Sequence, residues 1–353
     1  MTACAWESLS LRAQLRRLRR LGRTALASFG VQDAGLTLLR HEANTTFRVE
    51  TVAGRFLLRI NRPNVHTHET IESEMAWLTA LRRETDLGVP EPVRSRDGSF
   101  VVVVEDAGVP VPHACVLMRW LDGRFSDRRL TPAQLRRVGA LEAHLHDHAE
   151  SWAPPPGFQR PRLDTVTDAG KIASIAGSAA ASFPGDHPTR DDAERCLRLV
   201  EALISADAAA LVADALDPVR ETTRRLAQTP GSFGLIHGDL HSENFLFHDG
   251  AVRAIDFDDC GWGFFLHDVA VTLSELEGRP RYAELRDALL DEYAGRRSPP
   301  ANADDHLAAL AILRRIQLLA WVIESRGHAA FRDDWRPRAR EQLDALATSV
   351  AAR

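Results

Sequence analysis

The stretch from Leu235 to Gly263 concentrates side chains that could carry out chemistry. It reads "LIHGDLHSENFLFHDGAVRAIDFDDCGWG" and mixes carboxylates, histidines and an asparagine with short apolar runs. Carboxylate and amide oxygens are hard ligands of the kind that Mg²⁺ prefers, together with water and phosphate oxygens. The composition of this stretch therefore predicts a metal site rather than a piece of hydrophobic core.

A predicted β-hairpin brings two of these side chains together. The apolar runs "FLF" and "AVRAI" flank an Asp-Gly dipeptide at residues 249–250, which is a strong hairpin signal. With the turn centred near residue 250, Asn244 is predicted to face Asp256, with their Cα atoms roughly 5 Å apart. Asp239 lies in the loop that enters the hairpin. The spacing thus predicts a pair of Mg²⁺ ligands with a third carboxylate beside them.

The elements around this stretch fall into three segments. Residues 1–35 carry leucines at helical spacing with many arginines, which predicts an amphipathic helix. Residues 36–121 alternate β-branched and aromatic runs with turn signals, which predicts a small sheet with one helix after its third strand. Residues 122–353 are mostly helical and contain the hairpin. The predicted fold class is α+β.

Composition and charge exclude several classes of protein. Four cysteines with no metal-ligand spacing argue against a zinc site or a disulfide framework. A net charge of −5 argues against a general nucleic-acid-binding protein. The chain shows no signal-peptide pattern and no run of about 18 uncharged apolar residues. These observations predict a cytoplasmic protein with no nucleic-acid partner and no membrane segment.

The segments "HGDLHSEN" and "IDFDD" resemble the aminoglycoside phosphotransferase and choline kinase superfamily, which are small-molecule kinases. The resemblance implies a bilobal protein-kinase-like fold, with a small antiparallel-sheet N-lobe, one main helix there, and a larger, mostly helical C-lobe. It implies that Asp239 orients the acceptor hydroxyl and that Asn244 and Asp256 bind Mg²⁺. His241 is a further catalytic candidate that could approach the γ-phosphate, although a loop-stabilising role is equally compatible. Asp268 resembles the family residue that braces this loop, with a helix cap as the alternative.

The resemblance also implies a nucleotide site in residues 36–121. In "GRFLLRI", Arg59 stands on the third strand, where the family usually places a phosphate-pairing lysine. Lys171, the only lysine, lies in another region, so arginine must serve here. Glu74 is the expected helix partner of Arg59, with Glu72 as the alternative.

The segment "VLMRWLDGR" resembles the hinge that reads the purine base. The resemblance implies that Met118 lies behind the base, and that the Arg119 carbonyl and the Leu121 amide bond to it. The first hairpin, "RHEANTTF", lacks the glycine-rich flap of many kinases, and Asn44 is its best candidate for a phosphate contact.

The predicted function is Mg²⁺-dependent transfer of the γ-phosphate of ATP or GTP to a hydroxyl of a small molecule. Candidate acceptors are an aminoglycoside, a nucleoside-type antibiotic or an amino alcohol, with antibiotic resistance as one possible role. The alternatives are a stress-response Ser/Thr protein kinase, a homoserine-kinase-like metabolic enzyme and a non-catalytic pseudokinase scaffold. The predicted partner is the acceptor alone, and the protein is predicted to be a monomer or homodimer.

Overall fold

The computed structural model describes most of the chain, which divides into two compact units, residues 1–122 and 123–353. The described residues are 6, 8–42, 44–63, 65–126, 130–166, 190–328, 331 and 333–351. Lys171 lies outside the described residues.

The first unit contains an antiparallel sheet and two helices within the described residues. They are α1 (Leu11–Ser28), β1 (Gly35–His41), β2 (Thr45–Thr51), β3 (Gly54–Ile60), α2 (His68–Glu84), β4 (Glu91–Val93), β5 (Val101–Val104) and β6 (His113–Arg119). The strand order is β1-β2-β3-β6-β4, and β5 also pairs with β6. The predicted sheet, with one helix after its third strand, is therefore present. β4 was not predicted, because "VPEPV" has the composition of a loop; Pro92 is tolerated there since β4 is an edge strand.

Helix α1 covers one face of this sheet. Its apolar positions Leu18, Leu21 and Leu26 join a buried cluster that includes Phe47 and Leu58 from the strands. The spacing of these leucines places them on one side of the helix, as predicted. The helix is therefore part of the core of the first unit.

The second unit is mostly helical. Its elements are α3 (Pro132–Ser151), α4 (Arg190–Leu203), α5 (Ala206–Ala227), β7 (Phe233–Ile236), β8 (Phe245–His248), β9 (Ala251–Ala254), β10 (Gly261–Phe264), α6 (Phe265–Ser274), α7 (Tyr282–Arg296), α8 (Ala303–Glu324) and α9 (Trp335–Ala351). β7 pairs with β10, and β8 pairs with β9. Thr131 caps α3 with a reciprocal capping box to Gln134, as expected from Thr131 followed by Pro132. The α+β class is confirmed.

One close helix contact depends on a glycine. A Cβ atom on Gly139 of α3 would lie 2.3 Å from the carbonyl oxygen of Leu289 in α7. Glycine therefore lets the two helices approach closely, and any larger residue at this position would push them apart.

One helix among the described residues is long and apolar enough to cross a membrane by length and composition. It spans Ala303–Gly327, with a mean hydropathy of 1.5 in its most apolar window. Within the protein, 72% of that window is buried. This degree of burial is what the core helix of a globular unit requires.

Candidate active site

The hairpin that carries the predicted metal ligands has a register one residue away from the predicted one. Ile255 donates its backbone N–H to the Asn244 carbonyl over 3.0 Å, so Asn244 faces Ile255, and the predicted Asn244–Asp256 facing pair is wrong. The cause is the turn, which contains only Asp249 and Gly250, with φ angles of 47° and 79°. Both values suit a two-residue turn that matches the strand twist. Asp256 is consequently the first residue beyond the ladder.

Asp256 adopts a left-handed backbone conformation, with φ 67° and ψ 63°. Non-glycine residues rarely take this conformation, and it clusters at functional sites, where surrounding structure enforces it. A short 3₁₀ turn, Phe257–Asp259, follows it at once. A second 3₁₀ turn, Ser242–Asn244, enters the other strand of the hairpin. The two predicted metal ligands thus lie where short turns adjoin the same end of the hairpin.

Asn244 and Asp256 have side chains of the types that suit Mg²⁺. Asn244 is 2% exposed, and its Nδ2 donates to the Asp239 carbonyl over 2.8 Å and to Asp239 Oδ2 over 3.2 Å. Because Nδ2 is used in this way, the amide oxygen is the atom available to a cation, and Asp256 supplies a carboxylate. The described residues contain no cluster of three or more His, Cys, Asp or Glu side chains in metal-binding geometry. One amide and one carboxylate agree with a metal that takes its remaining ligands from phosphate and water.

Asp268 holds the loop that precedes Asp239. It lies in the first turn of α6 and is fully buried. Its two oxygens accept the backbone N–H groups of His237 and Gly238 over 2.8 and 2.7 Å. Gly238 has a φ of 81°, and a Cβ there would lie 2.6 Å from Leu163 Cδ1. Of the two roles considered for Asp268, the structure shows the loop brace.

Two buried aromatic groups continue this network away from the loop. His146 Nε2 lies 3.2 Å from Asp268 Oδ2, and its Nδ1 lies 2.9 Å from the Tyr293 hydroxyl. Burial lowers the pKa of His146 despite the neighbouring Asp268 carboxylate. A neutral ring satisfies both contacts when Nε2–H donates to Asp268 and Nδ1 accepts the Tyr293 proton. The Asp268 carboxylate therefore receives three hydrogen bonds while remaining charged.

Three side chains surround the Asp239 carboxylate, which is about one-fifth exposed. Arg314 from α8 forms an ion pair with Oδ1. Oδ2 lies 3.3 Å from His241 Nε2 and accepts Nδ2 of Asn244. Burial raises the pKa of Asp239, but the Arg314 guanidinium and His241 outweigh burial and hold the pKa well below its usual range. Asp239 is thus an anion with both oxygens oriented by partners from its own loop and from α8.

His241 carries a positive charge in this arrangement. Its Nδ1 lies 3.5 Å from Glu275 Oε1, opposite the contact to Asp239. Burial lowers the pKa of His241, but the two carboxylates outweigh it and raise the pKa to about 10. Burial raises the pKa of Glu275, whereas His241 and the Ser242 N–H lower it to about 2. The loop therefore presents a fixed cation beside Asp239.

Arg314 and Glu275 were missed in the sequence, and only one of them leaves a signal there. In "ALAILRRIQLLAWVI", Arg314 and Arg315 are the two charged residues in a mostly apolar stretch of α8. Charges are rarely buried unless paired, so adjacent arginines in such a helix point to buried carboxylate partners. Glu275, just after α6, has no comparable pattern around it.

In the first unit, Arg59 and Glu74 form a two-point ion pair. Arg59 Nη1 and Nη2 lie 2.8 and 2.5 Å from the Glu74 oxygens, and the side chains are 2% and 1% exposed. Glu72, the alternative partner, instead accepts the backbone N–H groups of Phe100 and Val101 over 3.1 and 3.0 Å. The expected pairing is present, and the phosphate contact of Arg59 stays a prediction.

The other predicted nucleotide contacts also lie in the first unit. Met118 is buried near the end of β6, and Arg119, the last residue of that strand, is exposed. Leu121 lies two residues beyond the end of the strand. Asn44 lies between β1 and β2, where its amide oxygen accepts the N–H of Arg62 over 2.9 Å. Asn44 therefore ties its loop to the end of β3, and its predicted phosphate contact is untested.

A cavity of about 350 Å³ adjoins the Asp239 loop within the second unit. Four of its lining side chains are cations, namely His241, Arg279, Arg314 and Arg315, and three are glutamates. Arg315 donates to the Ser274 carbonyl over 2.9 Å and lies 3.2 Å from Glu277. The cavity is thus strongly polar, with both signs of charge present.

Comparisons with known proteins give a family match, a similar curated protein and similar solved structures. Residues 36–301 match the model of a family described as the phosphotransferase enzyme family. The chain is 32% identical over 249 residues to amicoumacin kinase of Bacillus subtilis, covering 70% of this chain and 65% of that protein. It is similar to the structure of a microcompartment-associated aminopropanol kinase, with 30% identity, a TM-score of 0.72 and coverage of 94% and 95%. It also resembles the structure of an amicoumacin kinase in complex with AMP-PNP and Ca²⁺, with 18% identity, a TM-score of 0.70 and 96% coverage of both chains. These likenesses confirm the predicted protein-kinase-like fold.

Proposed function

Because the chain belongs to the phosphotransferase enzyme family and is a small-molecule phosphotransferase, we propose that it transfers the γ-phosphate of ATP or GTP to an acceptor hydroxyl. The superfamily resemblance is confirmed by the family match. The proposed acceptors are an amino alcohol, an aminoglycoside or a nucleoside-type antibiotic. The amino-alcohol class has support from a 30% identical relative that is an aminopropanol kinase. Dependence on Mg²⁺ and a cytoplasmic location belong to the same proposal.

The arrangement around Asp239 is the observation that carries the proposal. An anionic carboxylate on a braced loop, next to a charged histidine and a buried asparagine, can accept a hydrogen bond from a hydroxyl and orient its oxygen toward a phosphate. Each carboxylate oxygen has two lone pairs, so Asp239 can receive a hydroxyl while keeping Arg314 and His241. Orientation of this kind accounts for much of the rate of phosphoryl transfer.

The low pKa of Asp239 suits this chemistry. Phosphoryl transfer passes through a loose transition state, so the acceptor proton need not leave before the new bond forms. A weak base then suffices, because it receives the proton late. The Mg²⁺ ion, held by Asn244 and Asp256, would neutralise charge on the nucleotide phosphates. His241 supplies a cation on the Asp239 side of the site.

A second acceptor class has support from the charges of the cavity. Arg314 pairs with Asp239, and Arg279 and Arg315 line the same cavity. Because three glutamates line the cavity as well, an acceptor that bears both a carboxylate and an ammonium group, as homoserine does, would find groups of opposite charge for each. This observation favours the homoserine-kinase-like alternative as the second candidate.

A nucleotide-consumption assay tests both candidates. Purified protein with Mg²⁺ and either ATP or GTP is offered ethanolamine, 1-amino-2-propanol, aminoglycosides, nucleoside antibiotics and homoserine, and diphosphate formation is measured. Turnover with one class identifies the acceptor, and mass spectrometry of the product locates the phosphate. Asp239→Asn should lower kcat by at least about a thousandfold, since it removes the acceptor-orienting anion.

The matched control is Asp249→Asn, in the exposed turn of the same hairpin. Asparagine tolerates the positive φ of that position, so this variant should keep wild-type turnover. Equal turnover by Asp239→Asn and wild type with any acceptor would refute the proposed role of Asp239.

A further inference from the structure

A buried carboxyl group lies behind the Asp239 loop and has no part in the chemistry described so far. Glu142 of α3 is fully buried. Its Oε1 lies 2.7 Å from the hydroxyl oxygen of Thr272 in α6, and that same oxygen lies 2.6 Å from the carbonyl oxygen of Leu240. Leu240 stands between Asp239 and His241. We propose that Glu142 is a positioning residue that, as a neutral acid, holds the catalytic loop through Thr272 by fixing the Leu240 carbonyl.

Counting hydrogens decides the direction of these two bonds. The Thr272 hydroxyl has one hydrogen to donate, whereas the Leu240 carbonyl can only accept. If the hydroxyl donated to an ionised Glu142, two oxygens without a hydrogen between them would face each other at 2.6 Å. If Glu142 carries the proton, it donates to Thr272, and Thr272 donates to Leu240. Only the protonated carboxyl places a hydrogen in both short contacts.

The surroundings of Glu142 agree with a neutral group. Oε2 is buried and has no hydrogen-bond partner within the described residues, which is far less costly for a neutral acid than for an anion. The titratable groups that face it are the Asp268 carboxylate on α6 and the Tyr293 hydroxyl on α7, and His146 lies one helical turn further along its own helix. Asp268 already holds the negative charge of this region, and a second charge would be repelled. Burial together with Asp268 raises the pKa of Glu142 to about 8, with the Thr272 hydrogen bond acting against them.

Two buried carboxyl groups therefore hold one loop in opposite charge states. Asp268, as an anion, accepts the N–H groups of His237 and Gly238. Glu142, as a neutral acid, donates a hydrogen bond to the Thr272 hydroxyl, which donates in turn to the carbonyl of Leu240. The backbone is thus fixed on both sides of Asp239, through two N–H groups before it and through the Leu240 carbonyl after it. Ionisation of Glu142 breaks the second connection and loosens the loop.

The protonation state can be measured without any acceptor. In protein labelled with carbon-13 at glutamate Cδ, the Glu142 resonance is the one missing from Glu142→Gln. At neutral pH it should have the chemical shift of a neutral acid and should titrate in the alkaline range. An ionised Glu142 at neutral pH overturns the proposal. This measurement needs no acceptor and no turnover. It can therefore distinguish a failure of the proposal about Glu142 from a failure of the proposed function.

Kinetics test the positioning role, which rests on the proposed function. With the acceptor that gives turnover, Thr272→Val should lower kcat by about ten- to a hundredfold while the KM for Mg-ATP stays near wild type. Thr272→Ser keeps the hydroxyl and should keep kcat. The matched control is Thr223→Val, a buried threonine on α5 whose hydroxyl bonds, among the described residues, to the Arg220 carbonyl of its own helix. An unchanged kcat in folded Thr272→Val overturns the proposal.

The pH profile separates a positioning role from a merely structural one. Glu142→Gln offers Thr272 an amide donor that cannot ionise, so it should keep wild-type kcat at neutral pH. The wild type should lose kcat as the pH rises through the Glu142 titration, and this loss should be absent from Glu142→Gln. Glu142→Leu cannot ionise either and leaves the Thr272 hydroxyl able to donate to the Leu240 carbonyl, so it should also lack the alkaline fall and should keep a higher kcat than Thr272→Val. Identical alkaline profiles of the wild type and Glu142→Gln would contradict the proposal.

Discussion

Arg59 and Glu74 form a two-point ion pair that is almost completely buried, with N–O distances of 2.8 and 2.5 Å. The guanidinium is planar and matches the carboxylate geometry at both points, which lysine cannot do. The pair links β3 to α2, and it fixes the cation at the position where the superfamily usually has lysine. Arginine therefore takes the place of lysine at this position of β3, and its pairing with Glu74 holds it rigidly.

Breaking the Arg59–Glu74 pair should destabilise the protein strongly. Arg59→Met leaves the Glu74 charge buried without a partner, and we expect the free energy of unfolding to fall by about 3–5 kcal/mol in urea titrations. Arg55→Met, on the same strand, removes a cation from an exposed pair with Asp122 and should cost less than about 1 kcal/mol.

The double variant Arg59→Met, Glu74→Leu separates stability from function. Replacing both partners by apolar groups removes the unpaired charge, so most of the lost stability should return. If Arg59 contacts the nucleotide phosphates, the KM for Mg-ATP should nevertheless stay raised. A normal KM in the double variant would argue against the predicted phosphate contact.

Removing Arg314 should change the acid side of the activity profile. Its guanidinium lowers the pKa of Asp239, and the transfer reaction needs Asp239 as an anion. In Arg314→Met the pKa of Asp239 rises, so kcat should begin to fall at a higher pH than in the wild type. The ratio of kcat at about pH 7.5 to kcat at about pH 5 should therefore be larger in Arg314→Met than in the wild type.

The control for this experiment is Arg315→Met, the adjacent arginine of α8. Arg315 bonds to the Ser274 carbonyl and Glu277 rather than to Asp239, so its removal should leave the acid limb in place. If both variants shift the acid fall in kcat to the same extent, its pH is determined by the loss of a positive charge in general and not by the Arg314–Asp239 pair.

His241 should stabilise the fold in a pH-dependent way. Its pKa is raised from an ordinary 6.5 to about 10, so the folded state binds the proton more tightly than the unfolded state. This contribution is fully present below about pH 6.5 and is lost as the pH rises through about 10. His241→Gln should therefore lower the free energy of unfolding most near about pH 6, by roughly 1–3 kcal/mol, and least above about pH 10.

Thermal unfolding at several pH values measures this difference. His248→Gln is the control, because His248 is more exposed and pairs with the exposed Asp249 of the turn. Its effect should be small over the same range. A constant difference between wild type and His241→Gln across this range would contradict the charged state of His241.

The proposed metal site predicts a specific dependence on Mg²⁺. Chelation with EDTA should abolish turnover, and addition of Mg²⁺ should restore it. Asp256→Asn and Asn244→Ala each remove one ligand, so the Mg²⁺ concentration that gives half-maximal activity should rise by at least about tenfold. Asp249→Asn should leave it unchanged. If Asp256→Asn has the wild-type requirement, Asp256 is not a metal ligand.

The sequence by itself determined the elements that local physics controls. Hydrophobic periodicity predicted the strands around Arg59 and the helix that carries Glu74, because alternating and helical patterns follow from which face is buried. Thr131 and Pro132 predicted the start of α3 for the same local reason. The Asp-Gly turn predicted the hairpin, although its register was one residue off, because the turn type sets the register.

Only the tertiary structure decided which distant groups meet the Asp239 loop. Arg314, Glu275 and Glu142 come from residues before and after the loop, and no local pattern encodes their distances to it. The charge states also depend on the fold, since burial and neighbouring charges shift each pKa. Side-chain types supplied the chemistry of the site, and long-range packing decided which acid is charged, which is neutral and which base is protonated.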